Sequence, residues 1–158
     1  MKLLIFILLF TSCGRIPQPF YNGESPPQFI DPYFQPLLNQ FKTDADQRHI
    51  PYATLSQVTV IKFGEPLPGR VAECRNRDDT TILYSNHWRE IVFRPDTRNY
   101  PEYLMYKLFL HEIGHCVYNL EHSSDPAAIM FADFLWTPQS ELNPQINVYF
   151  NSINLGQF

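Results

Sequence analysis

The stretch that organises this chain is HEIGHCVYNLEH, residues 111–122. Positions four apart share one face of an α-helix, so a helix here would aim the imidazoles of His111 and His115 at one point. Glu112 is turned about 100° around the helix axis, within reach of a water at that point. Two neutral imidazoles beside a carboxylate are what zinc-assisted hydrolysis requires. The alternative is a buried helix that carries two histidines by chance, because HExxH alone is a short pattern.

A third histidine and a methionine favour the first interpretation. His122 comes seven residues after His115, and Met130 follows eight residues beyond it in an apolar setting. On these residues the chain resembles the metzincin metallopeptidases of the matrixin-like branch, whose HExxHxxGxxH motif precedes a methionine turn. It also resembles short bacterial lipoproteins with an HExGHC…H motif. The resemblance implies one catalytic zinc ion held by His111, His115 and His122. It also implies Glu112 as the general base and Met130 as an apolar floor beneath the metal.

The position of the third histidine departs from the family pattern by one residue. The family places it six residues after the second histidine, with a glycine where this chain has Asn119. Asparagine tolerates the left-handed conformation that turns a chain off a helix end. The extra residue predicts a wider last helical turn, with a π-bulge as one route. Glu121 is the competing third ligand, although we favour a solvent-exposed role for it beside the site.

Length and composition indicate one globular domain. The chain has 158 residues, of which 44% are hydrophobic, and a net charge of −4. This apolar fraction is sufficient for a core. No basic run is present, which argues against a nucleic acid partner. The metzincin resemblance implies a peptide or protein substrate, and we expect the protein to be a monomer.

The first residues resemble a bacterial lipoprotein signal peptide. A positively charged start precedes an apolar run over 3–10 that is too short to span a bilayer. The FTSC sequence at residues 10–13 resembles a lipobox, which implies cleavage after 1–12 and lipid attachment at Cys13. An ordinary signal peptide with a chance cysteine is the alternative. We expect export and a lipid anchor at the bacterial cell envelope, with the outer membrane favoured because Gly14 is not aspartate.

The remaining cysteines form a pair. With Cys13 used for the anchor, Cys74 and Cys116 are left in an oxidising compartment. A disulfide between them would tie a strand to the histidine-bearing helix. Two separate buried thiols are the alternative.

The order of predicted elements indicates an α+β fold. Residues 13–32 are rich in proline and predict a lipid-anchored tether, so the catalytic domain is expected over 33–158. Helical spacing predicts a first helix over 36–48. Runs of β-branched and aromatic residues predict four strands at Gln57–Phe63, Val71–Arg75, Thr80–Ser85 and Glu90–Arg94.

The second half of the chain predicts the elements that surround the site. The central helix is expected to start near Pro101, with Asn99 or Tyr100 capping it. Being apolar on nearly all faces, it should be sandwiched between other elements. Gly114 should let the methionine turn pack closely, the alternative being a glycine that the helix merely tolerates. Short helical turns are expected at Pro138 and Pro144. The i, i+3, i+4, i+7 spacing of four apolar residues then predicts a closing helix, with Ile146, Tyr149, Phe150 and Ile153.

The resemblance implies a metzincin-like fold: a small twisted mixed sheet, a first helix, a metal-binding helix, a methionine turn and a C-terminal helix. In that family an edge strand pairs with the substrate backbone, and Thr80–Ser85 is our candidate for that strand. The expected activity is zinc-dependent endopeptidase cleavage in the cell envelope or outside the cell. One alternative is a non-catalytic zinc-binding scaffold lipoprotein on the same fold. Another is a gluzincin-like peptidase with Glu121 or Glu141 as the third ligand.

Overall fold

The computed structural model describes residues 28–77, 88–133 and 138–155. This part of the chain is an α+β fold with a four-stranded mixed sheet and three α-helices. In chain order the elements are β1 (Phe29–Ile30), α1 (Gln35–Gln47), β2 (Val58–Phe63), β3 (Ala72–Arg77), β4 (Trp88–Phe93), α2 (Glu102–Tyr118) and α3 (Gln139–Leu155). Short 3-10 helices precede α1, β2 and α2, at Pro32–Phe34, Ala53–Gln57 and Pro95–Asn99.

The sheet has the strand order β1-β2-β4-β3. The first three of these run parallel, whereas β3 pairs antiparallel with β4 and places Cys74 opposite Ile91. Three predicted strands are confirmed to within two residues at each end. The fourth, Thr80–Ser85, lies outside the described residues. The residues of β2 and β4 are mostly buried, and α2 packs against β3 and β4.

The fold begins before the predicted boundary at residue 33. β1 pairs in parallel with Val60–Ile61 of β2, and the N–H of Asp31 donates to the carbonyl of Ile61 at 2.9 Å. These main-chain hydrogen bonds make residues 28–32 part of the domain, which the predicted boundary at residue 33 had left out. The predicted signal peptide and Cys13 lie outside the described residues. In the part of the chain that is described, no helix combines the length and apolar character needed to cross a bilayer.

Helix α2 occupies the centre of the core. It contacts the sheet on one side and α1 and α3 on the others, and its apolar residues are buried along nearly its whole length. The sandwiched position predicted for this helix is therefore confirmed. Three stacked phenylalanine rings link the start of α1, the sheet and α2. The ring centroid of Phe34 lies 4.6 Å from that of Phe93 and 6.5 Å from that of Phe109, and the last two are 6.4 Å apart.

Helix α2 starts beside Pro101, as predicted, but the predicted capping residues do not cap it. The helix begins at Glu102 with Pro101 at its N-cap, and no side chain caps it. The predicted caps, Asn99 and Tyr100, instead end the preceding 3-10 helix, where the Tyr100 N–H donates to the Thr97 carbonyl at 2.9 Å. A residue committed to the end of one helix is not free to cap the next.

The closing helix is confirmed, but it is longer than predicted. One continuous helix, α3, replaces the separate turns expected at Pro138 and Pro144, and Pro144 lies inside it. Proline lacks the N–H that would bond to the carbonyl four residues earlier. Packing against α2 compensates for that loss, because Tyr149 is buried and its hydroxyl donates to the Leu110 carbonyl at 3.0 Å. The other buried residues of this face are Leu142, Ile146 and Phe150.

A disulfide joins Cys74 of β3 to Cys116 of α2. Cys116 is fully buried and Cys74 is half-buried. The bond fastens the edge strand β3 directly to the helix that carries the HExxH residues. It therefore fixes the distance between the two elements that meet at the candidate site.

Reduction of this disulfide should destabilise the fold. The two cysteines are 42 residues apart in sequence, and a cross-link of that span restricts the unfolded chain by about 4 kcal/mol. Guanidinium unfolding with and without a reductant measures the difference in the free energy of unfolding. The double variant Cys74→Ala/Cys116→Ala should be less stable than the parent and should not respond to the reductant. Equal stability of the parent under both conditions would contradict this expectation.

Candidate metal centre

Three imidazoles converge at the C-terminal end of α2. The Nε2 atom of His115 lies 3.1 Å from the Nε2 of His111 and 3.1 Å from that of His122. Among the histidines, cysteines and acidic residues that the structure describes, only these three histidines lie close enough together to hold a metal ion. Four ligands arranged as a tetrahedron at zinc–nitrogen distances would lie about 3.3 Å from one another. The spacing therefore suits a small divalent ion.

A wider last turn of α2 brings His122 to this point. Asn119 adopts the left-handed conformation, with φ 55° and ψ 37°, and its N–H donates to the Gly114 carbonyl. The N–H of Leu120 donates to the same carbonyl at 3.0 Å. These bonds span five and six residues in place of four, so the turn accommodates the extra residue. The wider turn predicted from the spacing is confirmed.

Side chains from other elements bind the carbonyls that this turn leaves without helical partners. Arg89 of β4 donates to the Cys116 carbonyl. The Thr54 hydroxyl, from the 3-10 helix before β2, donates to the Val117 carbonyl at 2.8 Å. Helix ends always leave carbonyls to be satisfied, and here the sheet side of the domain supplies the donors. Sequence reasoning missed both residues because neither lies near the motif in the chain.

Hydrogen bonds at Nδ1 determine how two of the imidazoles present their other nitrogen. His111 Nδ1 donates to the Ile129 carbonyl at 2.7 Å, and His115 Nδ1 donates to the Leu120 carbonyl at 2.6 Å. A carbonyl only accepts, so each Nδ1 carries the hydrogen and each Nε2 of the neutral ring presents a lone pair. Two lone pairs 3.1 Å apart repel each other unless a cation lies between them. The donor set therefore fits a metal ion.

Protonation of an imidazole does not relieve this repulsion at neutral pH. Burial lowers the pKa of His111 to about 4, although its hydrogen bond to the Ile129 carbonyl acts to raise it. Burial also lowers the pKa of His115, and the neighbouring His122 adds to this effect. Both rings are thus neutral near pH 7, which is the form that ligates metals.

The loop after His122 holds the first histidine in place. The N–H of Ser123 donates to the Met130 carbonyl at 2.8 Å, which closes the loop and aims the adjacent Ile129 carbonyl at His111. Met130 is buried against α2, and a Cβ added to Gly114 would lie 2.5 Å from its Sδ. The close approach predicted for Gly114 and the methionine turn is confirmed.

Glu112 lies beside the histidines and is buried. Its side chain is 3% exposed, and within the described residues its Oε2 has no hydrogen-bond partner. Burial raises the pKa of Glu112 to about 8, while the positive charge of Arg70 and a hydrogen bond from the backbone of Cys74 lower it. A carboxyl with one free oxygen and a pKa near neutral can accept and return a proton.

The site opens onto a cleft of about 600 Å³. One wall consists of residues 69–74, which lead into and begin β3, and Ala132 and Asp133 contribute from the loop beyond Met130. His122 is exposed and His115 is half-buried, so a ligand can approach the cluster from the cleft. Glu121 is exposed and does not belong to the cluster.

The substitution Gly114→Ala should destabilise the protein although alanine favours helix. The new methyl group would overlap Met130, at a cost of about 1–3 kcal/mol that exceeds the gain of about 1 kcal/mol in helix propensity. Adding Met130→Ala should recover much of that loss, because the overlapping atoms are removed. Urea unfolding of both single variants and the double variant measures the coupling. Additive effects would contradict the contact.

Replacing Glu112 by glutamine should change how stability depends on pH in chelator-treated protein. The pKa is about 8 in the folded state against an ordinary value of 4.5, so the folded state holds the proton more tightly. The parent should lose stability as the pH rises from 4.5 through 8, whereas Glu112→Gln should not show this loss. Above pH 8 we expect the variant to be more stable by a few kcal/mol in urea unfolding. Identical pH slopes for the two proteins would contradict the burial of the carboxyl.

Taken together, the site is three imidazole nitrogens and a buried carboxyl at the floor of an open cleft. The chemistry available to such a set is metal binding and proton transfer. Comparisons with known protein families, with curated proteins and with solved structures found no match.

Proposed function

We propose that the protein is a zinc-dependent endopeptidase of the metzincin type. The observation that carries this proposal is the convergence of three Nε2 atoms beside the buried Glu112 carboxyl. His111, His115 and His122 would hold the ion. Three protein ligands at a site that opens to a cleft are typical of catalytic zinc centres, since structural centres use four.

Zinc would supply Lewis acidity, which polarises a carbonyl and lowers the pKa of water. The remaining steps belong to residues of the chain. Glu112 lines the same cleft as the three histidines, and its unpartnered Oε2 would take the proton from the attacking water. The same carboxyl would then give that proton to the departing amine. Burial raises the pKa of Glu112, and a bound cation would favour the ionised form that takes this proton.

Strand β3 would orient the substrate. It lines the cleft and, among the described strands, pairs only with β4, so its other edge can accept an extended peptide. An edge strand that pairs with substrate is also what the metzincin resemblance implies. The strand first predicted for this role, Thr80–Ser85, lies outside the described residues. We therefore propose β3 (Ala72–Arg77) for it.

Export to the cell envelope is part of the proposal. Disulfides persist in oxidising compartments, and the bond between Cys74 and Cys116 supports a location outside the cytoplasm. Lipid attachment at Cys13 would anchor the domain to a membrane, with the outer membrane favoured. Envelope or extracellular proteins and peptides would then be the accessible substrates.

The two alternatives fit the geometry less well. A gluzincin-like site requires a carboxylate ligand, but neither Glu121 nor Glu141 joins the histidine cluster. The scaffold interpretation depended on the altered spacing to His122, and the wider turn at Asn119 accommodates that spacing. A cleft that reaches the cluster also favours an enzyme over a scaffold.

Zinc content and peptide cleavage test the proposal together. We expect the chain from residue 14 onwards to bind one zinc ion and to cleave members of a peptide library. Glu112→Ala should retain the zinc, because it is not a ligand, and should lower cleavage by about 10²–10⁴-fold. Elemental analysis and mass spectrometry of the products measure the two quantities.

Two more variants test the ligand assignment. His122→Ala should lose tight zinc binding, whereas the neighbouring Glu121→Ala is a matched control that should keep both zinc and cleavage. Loss of zinc in the Glu121 variant alone would favour the carboxylate-ligand alternative. One zinc ion per chain without cleavage by the parent would support the scaffold, and no zinc at all would refute the metal centre.

A further inference from the structure

A rigid turn places Arg70 beside the candidate site. The N–H of Arg70 donates to the Leu67 carbonyl at 3.0 Å, and Gly69 has φ 85°. Proline at the second position and glycine at the third, here Pro68 and Gly69, favour a type II turn of this kind. The turn fixes the backbone of Arg70 just before β3, where the residue lines the same cleft as the three histidines.

Arg70 differs from the other arginines whose side chains are described. Four of them pair with carboxylates, namely Arg48, Arg75, Arg94 and Arg98. The fifth, Arg89, donates to a backbone carbonyl. Over residues 28–77, 88–133 and 138–155, no ion pair or hydrogen bond involves the guanidinium of Arg70. Because no described residue bonds to this guanidinium, its N–H donors are not committed within the described part of the chain and can bind a ligand in the cleft.

The charge of Arg70 also acts on the site electrostatically. Burial is the main cause of the raised pKa of Glu112, and Arg70 opposes it. Burial likewise dominates the lowered pKa of His115, to which Arg70 contributes in the same direction. The guanidinium is thus close enough to influence both side chains. Asp133 lines the cleft as well, but it forms no ion pair with Arg70.

We infer that Arg70 determines substrate specificity by binding a carboxylate of the substrate close to the scissile bond. The inference rests on the proposed peptidase function. A guanidinium presents a planar fork of N–H donors that matches a carboxylate, and carboxylates are the anionic groups of an unmodified peptide. The carboxylate can belong to an acidic side chain or to the C-terminus of the peptide. Both offer the same chemistry to Arg70.

Matched fluorogenic peptides separate these two sources. One arm compares glutamate with glutamine at each position next to the scissile bond, and the other compares a free C-terminus with an amide. With the full chain loaded with zinc, we expect one arm to show about tenfold or greater preference for the carboxylate, mainly through KM. Arg70→Gln should remove that preference, and Arg70→Glu should reverse it.

The matched control is Arg94→Gln, which removes an exposed arginine paired with Asp96 outside the cleft and should keep the preference. Equal kcat/KM values for matched peptides in the parent would overturn the inference. So would a preference that survives Arg70→Gln, or an equal loss of kcat for every peptide in that variant. Failure of the parent to cleave any peptide would contradict the proposed function itself, and the inference would fall with it.

Discussion

Two hydrogen bonds at the Nδ1 atoms of His111 and His115 determine the arrangement of the histidine cluster. The carbonyls of Ile129 and Leu120 hold His111 and His115 by Nδ1, which leaves the Nε2 lone pairs facing each other. That arrangement is unfavourable by itself, so the packing of the rest of the domain has to impose it. A bound cation would relieve the repulsion, and metal affinity and fold stability would therefore be coupled.

The same packing makes the neighbouring carboxyl unusual. Glu112 is buried between α2 and β3, and one of its oxygens has no partner within the described residues. A buried polar atom without a hydrogen bond lowers stability, yet burial is also what raises the pKa towards neutral. The disulfide from Cys74 to Cys116 holds β3 against α2 next to this buried carboxyl. The stabilisation expected from this bond would offset the cost of burying the carboxyl.

Local patterns predicted most elements because they depend on neighbouring residues. The spacing of Leu37, Leu38 and Phe41 predicted α1, and β-branched runs predicted the three strands that the structure describes. The errors arose where distant contacts outweighed local preference. Backbone pairing with β2 drew residues 28–32 into the sheet, and packing on α2 carried α3 through Pro144.

The sequence by itself identified two of the histidines that cluster, since the i, i+4 spacing of His111 and His115 places them together on any helix. It also indicated that Asn119 would turn the chain off the helix towards His122. The tertiary structure alone decided which ring nitrogen faces the cluster and which arginine faces the cleft. Those features depend on acceptors such as the Ile129 carbonyl and on the placement of Arg70 beside β3. Such contacts join residues far apart in the chain, and neither periodicity nor spacing carries information about them.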